Sequence, residues 1–144
     1  MTILTPLAAD AAALGVGAFC GAFCRFRIGH MAAEKIAQDP KRFGAYTGWH
    51  TAAINITGSF TLGTISQAPV SALPNMPGMK PRTKLMMGVG FCGSFTTFST
   101  FSCDVVNWLA KGETMRAMQY VTVNNVGSVG AAALGMAIAK KFFG

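Results

Sequence analysis

Two runs of this chain place polar side chains among strongly apolar neighbours. In GFCGSFTTFSTFS, residues 90–102, six Ser and Thr hydroxyls are interleaved with phenylalanines. In YVTVNNVGSVGAAALG, residues 120–135, Tyr120, Asn124 and Ser128 recur every four residues and share one helical face, a ladder of donors two turns long without a charge. A further amide, Asn55, stands beside Thr57, Gly58 and Ser59 in TAAINITGSFTLG. The chemistry on offer is neutral hydrogen-bond donation along a hydrated track through the membrane. Phe98 and Phe101 add ring edges, whose partial positive charge suits an anion. The competing use of such residues is helix packing, which is the better reading for Ser59, Thr61 and the pair Gly58 and Gly63.

Elements that hold these groups must lie in a membrane. Of the 144 residues 51% are hydrophobic and only 12% charged, about half the charged share of a soluble domain. Four apolar segments, residues 7–26, 52–73, 85–109 and 117–139, approach the roughly 20 residues a helix needs to cross the hydrocarbon core. The expected fold is an all-α membrane protein, one domain over residues 1–144 with four transmembrane helices. No cleavable leader is expected, since the N-terminus lacks a basic opening and its apolar stretch runs on into the first span. Polar connectors separate the spans: residues 31–48, then APVSALPNMPGMKPR with four prolines, then KGETMR.

Within the third span, Gly90 and Gly93 precede β-branched and hydroxyl residues, a poor sequence for unbroken helix. A break at membrane depth frees backbone groups that protein, water or an ion must satisfy, and adjacent hydroxyls meet part of that need. Asn55 is as costly to expose to lipid as any amide and needs a partner or a wet cavity. Arg25, near the end of the first span, either draws anions into a vestibule or snorkels to headgroups.

The net charge of +7 comes from basic residues scattered at span ends, where they meet headgroups rather than nucleic acid. Arg25, Arg27, Lys35, Lys41, Arg42, Lys111 and Arg116 fall on one side of the four spans; Lys80, Arg82, Lys84, Lys140, Lys141 and the terminal amine fall on the other. Seven against six leaves orientation weakly specified. Cys20 and Cys24 share a helical face, but no His or further Cys completes a tetrahedral set, so the four cysteines read as small core residues. A small dual-topology proton-coupled exporter would need an intramembrane carboxylate, for which Asp10 and Asp104 are the candidates. A non-transporting assembly subunit would use the ladder as helix glue.

The GFCGSFTTFSTFS stretch followed by Asp104 resembles the signature of the CrcB/Fluc family of fluoride channels. The resemblance extends through GAFCR ending at Arg25, NITGSFTLG from Asn55, and Tyr120 with its ladder. It implies a fluoride-selective channel, not an enzyme, that passively exports cytoplasmic fluoride across the plasma membrane, the inner membrane of a bacterium. The implied assembly is an antiparallel, dual-topology homodimer, with the third helix broken and two pores bordered by both subunits. A second inverted copy supplies the symmetry that other transporters build from internal repeats. By the same resemblance Asn55 donates to fluoride, Phe98 and Phe101 present ring edges, and Tyr120, Asn124 and Ser128 form the polar track. Asn124 stands where a small hydroxyl residue is familiar in that family, and Ser94 where Gly is common. A central sodium ion is implied at the backbone carbonyls of Gly93 and Thr96.

Overall fold

The computed structural model describes residues 4–71 and 78–143, with side chains from residue 6 onward. Helix α1, Leu4–Gln38, has 35 residues and is about 52 Å long at 1.5 Å per residue. It runs well past residue 26 because MAAEKIAQ holds only good helix formers, and it stops where Pro40 restricts the residue before it. Asp39 leaves helical geometry and caps α2, Pro40–Phe43, by accepting the Arg42 N–H at 3.1 Å. Residues 31–48, expected as a polar link, are therefore helical in their first part.

A 3-10 turn over Gly44–Tyr46 leads to Gly48 and then to α3, Trp49–Gln67. Gly48 has φ +84°, and a Cβ there would meet the Trp108 ring at 2.9 Å, so both backbone and packing require glycine. Helix α3 closes before Pro69, and Lys84 Nζ caps it by donating to the Ser66 and Ala68 carbonyls at 3.0 and 2.9 Å. The lysine puts a cation on orphan carbonyls at the negative end of the helix. The segment expected to end at residue 73 thus leaves the helix at Gln67, and residues 72 and 73 lie outside the described residues.

The third apolar segment is assembled from pieces. Helix α4, Pro81–Lys84, runs into a π-helical stretch over Leu85–Cys92 and one α turn, α5, Gly93–Phe95. Thr96 and Thr97 are extended, with ψ of 157° and 114°, before α6, Phe98–Ala110. The interruption lies at the two threonines, whereas Gly90 serves close packing. Side chains at Gly17 and Gly21 of α1 would collide with the Met86 and Phe91 carbonyls, and one at Gly90 with the Leu14 carbonyl. Small residues bring these backbones together, as expected between helices in lipid.

After a turn at Gly112, α7 spans Thr114–Phe143 and packs along α3. The contact is reciprocal: Gly63 abuts the Ala132 carbonyl and Gly135 the Phe60 carbonyl. At the other end of α7 the core gathers Ala52, Phe101, Trp108, Ala117 and Tyr120. Trp108 and Trp49 meet Tyr120 edge to face at centroid distances of 4.6 and 5.8 Å. Arg116 stacks on Trp108 and donates to the Ala45 and Thr47 carbonyls, tying the turn before α3 to this cluster.

Among the described residues there is no strand, only a single bridge between Val70 and Met79. Helices α1 and α7 are each long and apolar enough to cross a bilayer, and large apolar side chains such as Phe19, Phe23, Val126 and Val129 are exposed on their outer faces. This is the architecture of a helical membrane protein.

Candidate functional site

The break between α5 and α6 organises the site. In continuous helix the Thr97 N–H would bond the Gly93 carbonyl and the Thr100 N–H the Thr96 carbonyl. Instead the Thr97 N–H donates to Asn55 Oδ1 at 2.8 Å, and the Thr97 carbonyl accepts from Asn55 Nδ2 at 3.1 Å. The Thr100 N–H donates to Thr97 Oγ1 at 3.2 Å, which makes Thr97 the N-cap of α6. The Gly93 and Thr96 carbonyls are thereby released from their helical partners. Arg25 Nη1 approaches the Thr96 carbonyl at 3.4 Å, so this arginine turns inward to the break.

Two cavities meet at Thr97, which lines both. The larger, about 590 Å³, lies between α1, α3 and the start of α6, with Arg25, His30, His50, Thr51 and Thr100 in its wall. The smaller, about 250 Å³, is lined by Asn55, Ser59, Phe98, Asn124 and Ser128. Asn55 Nδ2 also donates to Asn124 Oδ1 at 3.2 Å, so both of its amide hydrogens are engaged within the protein. Asn124 Nδ2 and Ser128 Oγ, by contrast, are buried and have no hydrogen-bond partner among the described residues. Buried donors without a protein partner are rare in folded proteins and take water or an ion as acceptor.

The residues singled out from sequence separate into groups. Asn55, Phe98, Asn124 and Ser128 share the smaller cavity, and Arg25 lines the larger one. Phe98 is 74% exposed and Phe101 only 7%, with their centroids 5.4 Å apart. Phe101 leans on Tyr120 at 5.3 Å, and Tyr120, fully buried, donates to Asp104 Oδ2 at 3.1 Å. The first rung of the fourth-helix ladder is thus tied into the aromatic core. Asp104 is held by that hydroxyl, while Asp10 pairs with Arg82 on the surface at 2.9 Å.

Sequence reasoning overlooked Thr97, His50 and Thr51. Thr97 had a usable signal, since Thr is among the residues favoured as an N-cap where a helix restarts after a break. His50 and Thr51 sit at the start of α3 with no local motif, and only the approach of α1 and α6 makes them cavity wall.

Residues 12–136 match the family model described as CrcB-like protein, Camphor Resistance (CrcB). The chain is 36% identical over 114 residues to the fluoride-specific ion channel FluC of Methanocaldococcus jannaschii, covering 79% of this chain and 81% of that one. It is 35% identical over 127 residues to FluC of Bordetella avium and 32% identical over 127 residues to FluC of Chlorobium phaeobacteroides, in both cases covering 88% of this chain and 90% of the relative. The match spans every element from α1 to α7, and the chain belongs to the CrcB-like family.

Proposed function

We propose that the chain is a subunit of a fluoride-specific ion channel that lets cytoplasmic fluoride leave passively, down its gradient. The observation that carries this reading is the pair of unpartnered buried donors, Asn124 Nδ2 and Ser128 Oγ, in a cavity walled on one side by the exposed Phe98 ring. Two neutral donors and a ring edge substitute for water around a small anion without the tight grip of a fixed charge. The route would enter through the larger cavity beside Arg25, pass Thr97, and continue along Asn124 and Ser128.

In this route Asn55 first holds the break and orients Asn124. For Asn55 to donate directly to fluoride, the ion must displace the Asn124 or Thr97 oxygen from Nδ2. Phe101 and Tyr120 support Phe98 from the core side. The names of the relatives support fluoride as the transported ion.

The proposed assembly has four spans per subunit, the third broken, and two subunits in opposite orientations in the plasma membrane, with two pores between them. Two exposed features support a partner at the break: the Phe98 ring, and Gly93, beside which a side chain would meet nothing within 4 Å. The Gly93 and Thr96 carbonyls fit a sodium ion in one respect, being hard oxygens freed from helical bonding. Two copies would offer four of them, and a bound cation would supply positive charge at the centre of the dimer. Arg25 at the Thr96 carbonyl adds charge of the same sign nearby.

Purified protein in liposomes loaded with potassium fluoride tests the channel reading. We expect rapid efflux at a fluoride electrode once valinomycin lets potassium follow; efflux indistinguishable from empty liposomes would overturn it. A C-terminal tag labelled from both faces of intact membranes would support dual insertion, and labelling from one face alone would exclude it.

A further inference from the structure

The larger cavity holds a titratable group that the proposed route leaves unused. His50, in the first turn of α3, lines the same cavity as Arg25 and His30 of α1. Its ring lies against α1, since a side chain at Gly29 would sit 3.7 Å from His50 Nε2. The other ring nitrogen, Nδ1, is buried without a hydrogen-bond partner among the described residues. No bond from the protein to that nitrogen fixes the tautomer or the charge, unlike His30, whose Nδ1 lies 3.4 Å from the Glu34 carboxylate. The charged and titratable groups that face His50 are Arg25 and His30 from α1 and Asp104 from α6, the last already accepting the Tyr120 hydroxyl.

We propose that His50 sets the anion-attracting charge of this cavity, so that fluoride enters faster when its imidazole is protonated. The inference rests on the fluoride-channel reading above. Histidine is the side chain whose charge ordinarily changes between about pH 5 and 8. With the ring neutral, Arg25 is the fixed cation of the cavity wall. A proton on His50 adds a second cation to the wall, offset in part by the Asp104 carboxylate that faces the ring. Charge of one sign in a cleft with low-dielectric walls concentrates the opposite ion. A single added charge a few ångströms from an ion in a wet mouth changes its occupancy roughly two- to fivefold. The sign follows directly: acidification protonates His50 and raises entry, and alkalinisation removes the gain. Acid is also the condition under which neutral hydrofluoric acid forms and crosses membranes, so the channel would conduct best when the fluoride load is greatest.

The test is the fluoride current of the reconstituted protein in a planar bilayer, which neutral acid does not carry, with pH changed on both sides together. Between about pH 8 and 6 we expect the wild-type current to rise roughly two- to fivefold. His50→Gln should be flat at the wild-type high-pH level, His50→Arg flat at the low-pH level, and His30→Gln should keep the rise. A flat wild-type profile, a His50→Gln profile that still rises, or loss of the rise in His30→Gln would overturn the assignment to His50. The wild-type profile stands even if a variant fails to assemble. A pH-indifferent fluoride current removes this inference alone, whereas no fluoride current at any pH removes the channel reading with it.

Discussion

The Asn55 carboxamide pairs with both backbone groups of Thr97, taking its N–H at 2.8 Å and donating to its carbonyl at 3.1 Å across 42 residues of sequence. One side chain on α3 thus supplies the bond that the Thr97 N–H loses at the break and a further one to the Thr97 carbonyl, and a third bond fixes Asn124 on α7. Within a membrane an unsatisfied backbone group costs several kcal/mol, so the break is affordable only with this residue in place. Asn55→Leu should therefore lower stability by roughly 2–5 kcal/mol, as three buried partners lose their bonds. Asn55→Asp keeps an acceptor for the Thr97 N–H but sets a carboxylate against two oxygens, and it should lose both melting temperature and fluoride flux. Thermal unfolding in detergent checks this, and a wild-type melting temperature in both variants would show that Asn55 does not hold the break.

Phe98 and Phe101 should respond differently to the same change. Phe98→Ile removes an exposed ring that borders the smaller cavity and should suppress fluoride efflux with little change in melting. Phe101→Ile disturbs the stack on Tyr120 and should also cost about 1 kcal/mol of stability. Equal melting losses in the two variants would contradict this division.

Glycines offer a test of the partner subunit. Gly17→Ala and Gly63→Ala push a Cβ into neighbouring backbone and should destabilise the single subunit by about 1–3 kcal/mol. Gly93→Ala meets open space within the subunit, so any loss it causes must arise at the proposed dimer centre. Size-exclusion chromatography with flux assays should show Gly93→Ala shifting assembly or sodium dependence while the subunit fold persists. A monomer-level fold defect in Gly93→Ala, or no effect on assembly, sodium dependence or flux, would count against a packed centre there.

Sequence made the polar inventory legible because each group is unusual among apolar neighbours, where an amide or a run of hydroxyls has few uses. The Asn124 and Ser128 spacing translates directly into a shared helical face lining one cavity. The partner of Asn55 was not legible, since no local pattern says which of several freed backbone groups lies opposite an amide 42 residues away. Nor was the π-helical stretch at Leu85–Cys92, where composition alone reads as ordinary apolar helix. Tyr120 looked like the first rung of the ladder, but its long side chain reaches Asp104 and the tryptophans instead. The break falls at Thr96–Thr97, within the hydroxyl run that follows the glycines, because capping by Thr97 and clamping by Asn55 decide its position, while Gly90 is committed to α1.

The central claim is that fluoride crosses beside Phe98 and Ser128, and fluoride-electrode efflux from liposomes bearing Phe98→Ile/Ser128→Ala tests it most directly. Ser128 Oγ has no partner to lose among the described residues, so Ser128→Ala should leave stability unchanged or slightly higher. We predict rapid valinomycin-dependent efflux for the wild type and efflux at the level of empty liposomes for the double variant, with matching melting temperatures. Wild-type efflux from a folded double variant would place the fluoride path elsewhere in the molecule.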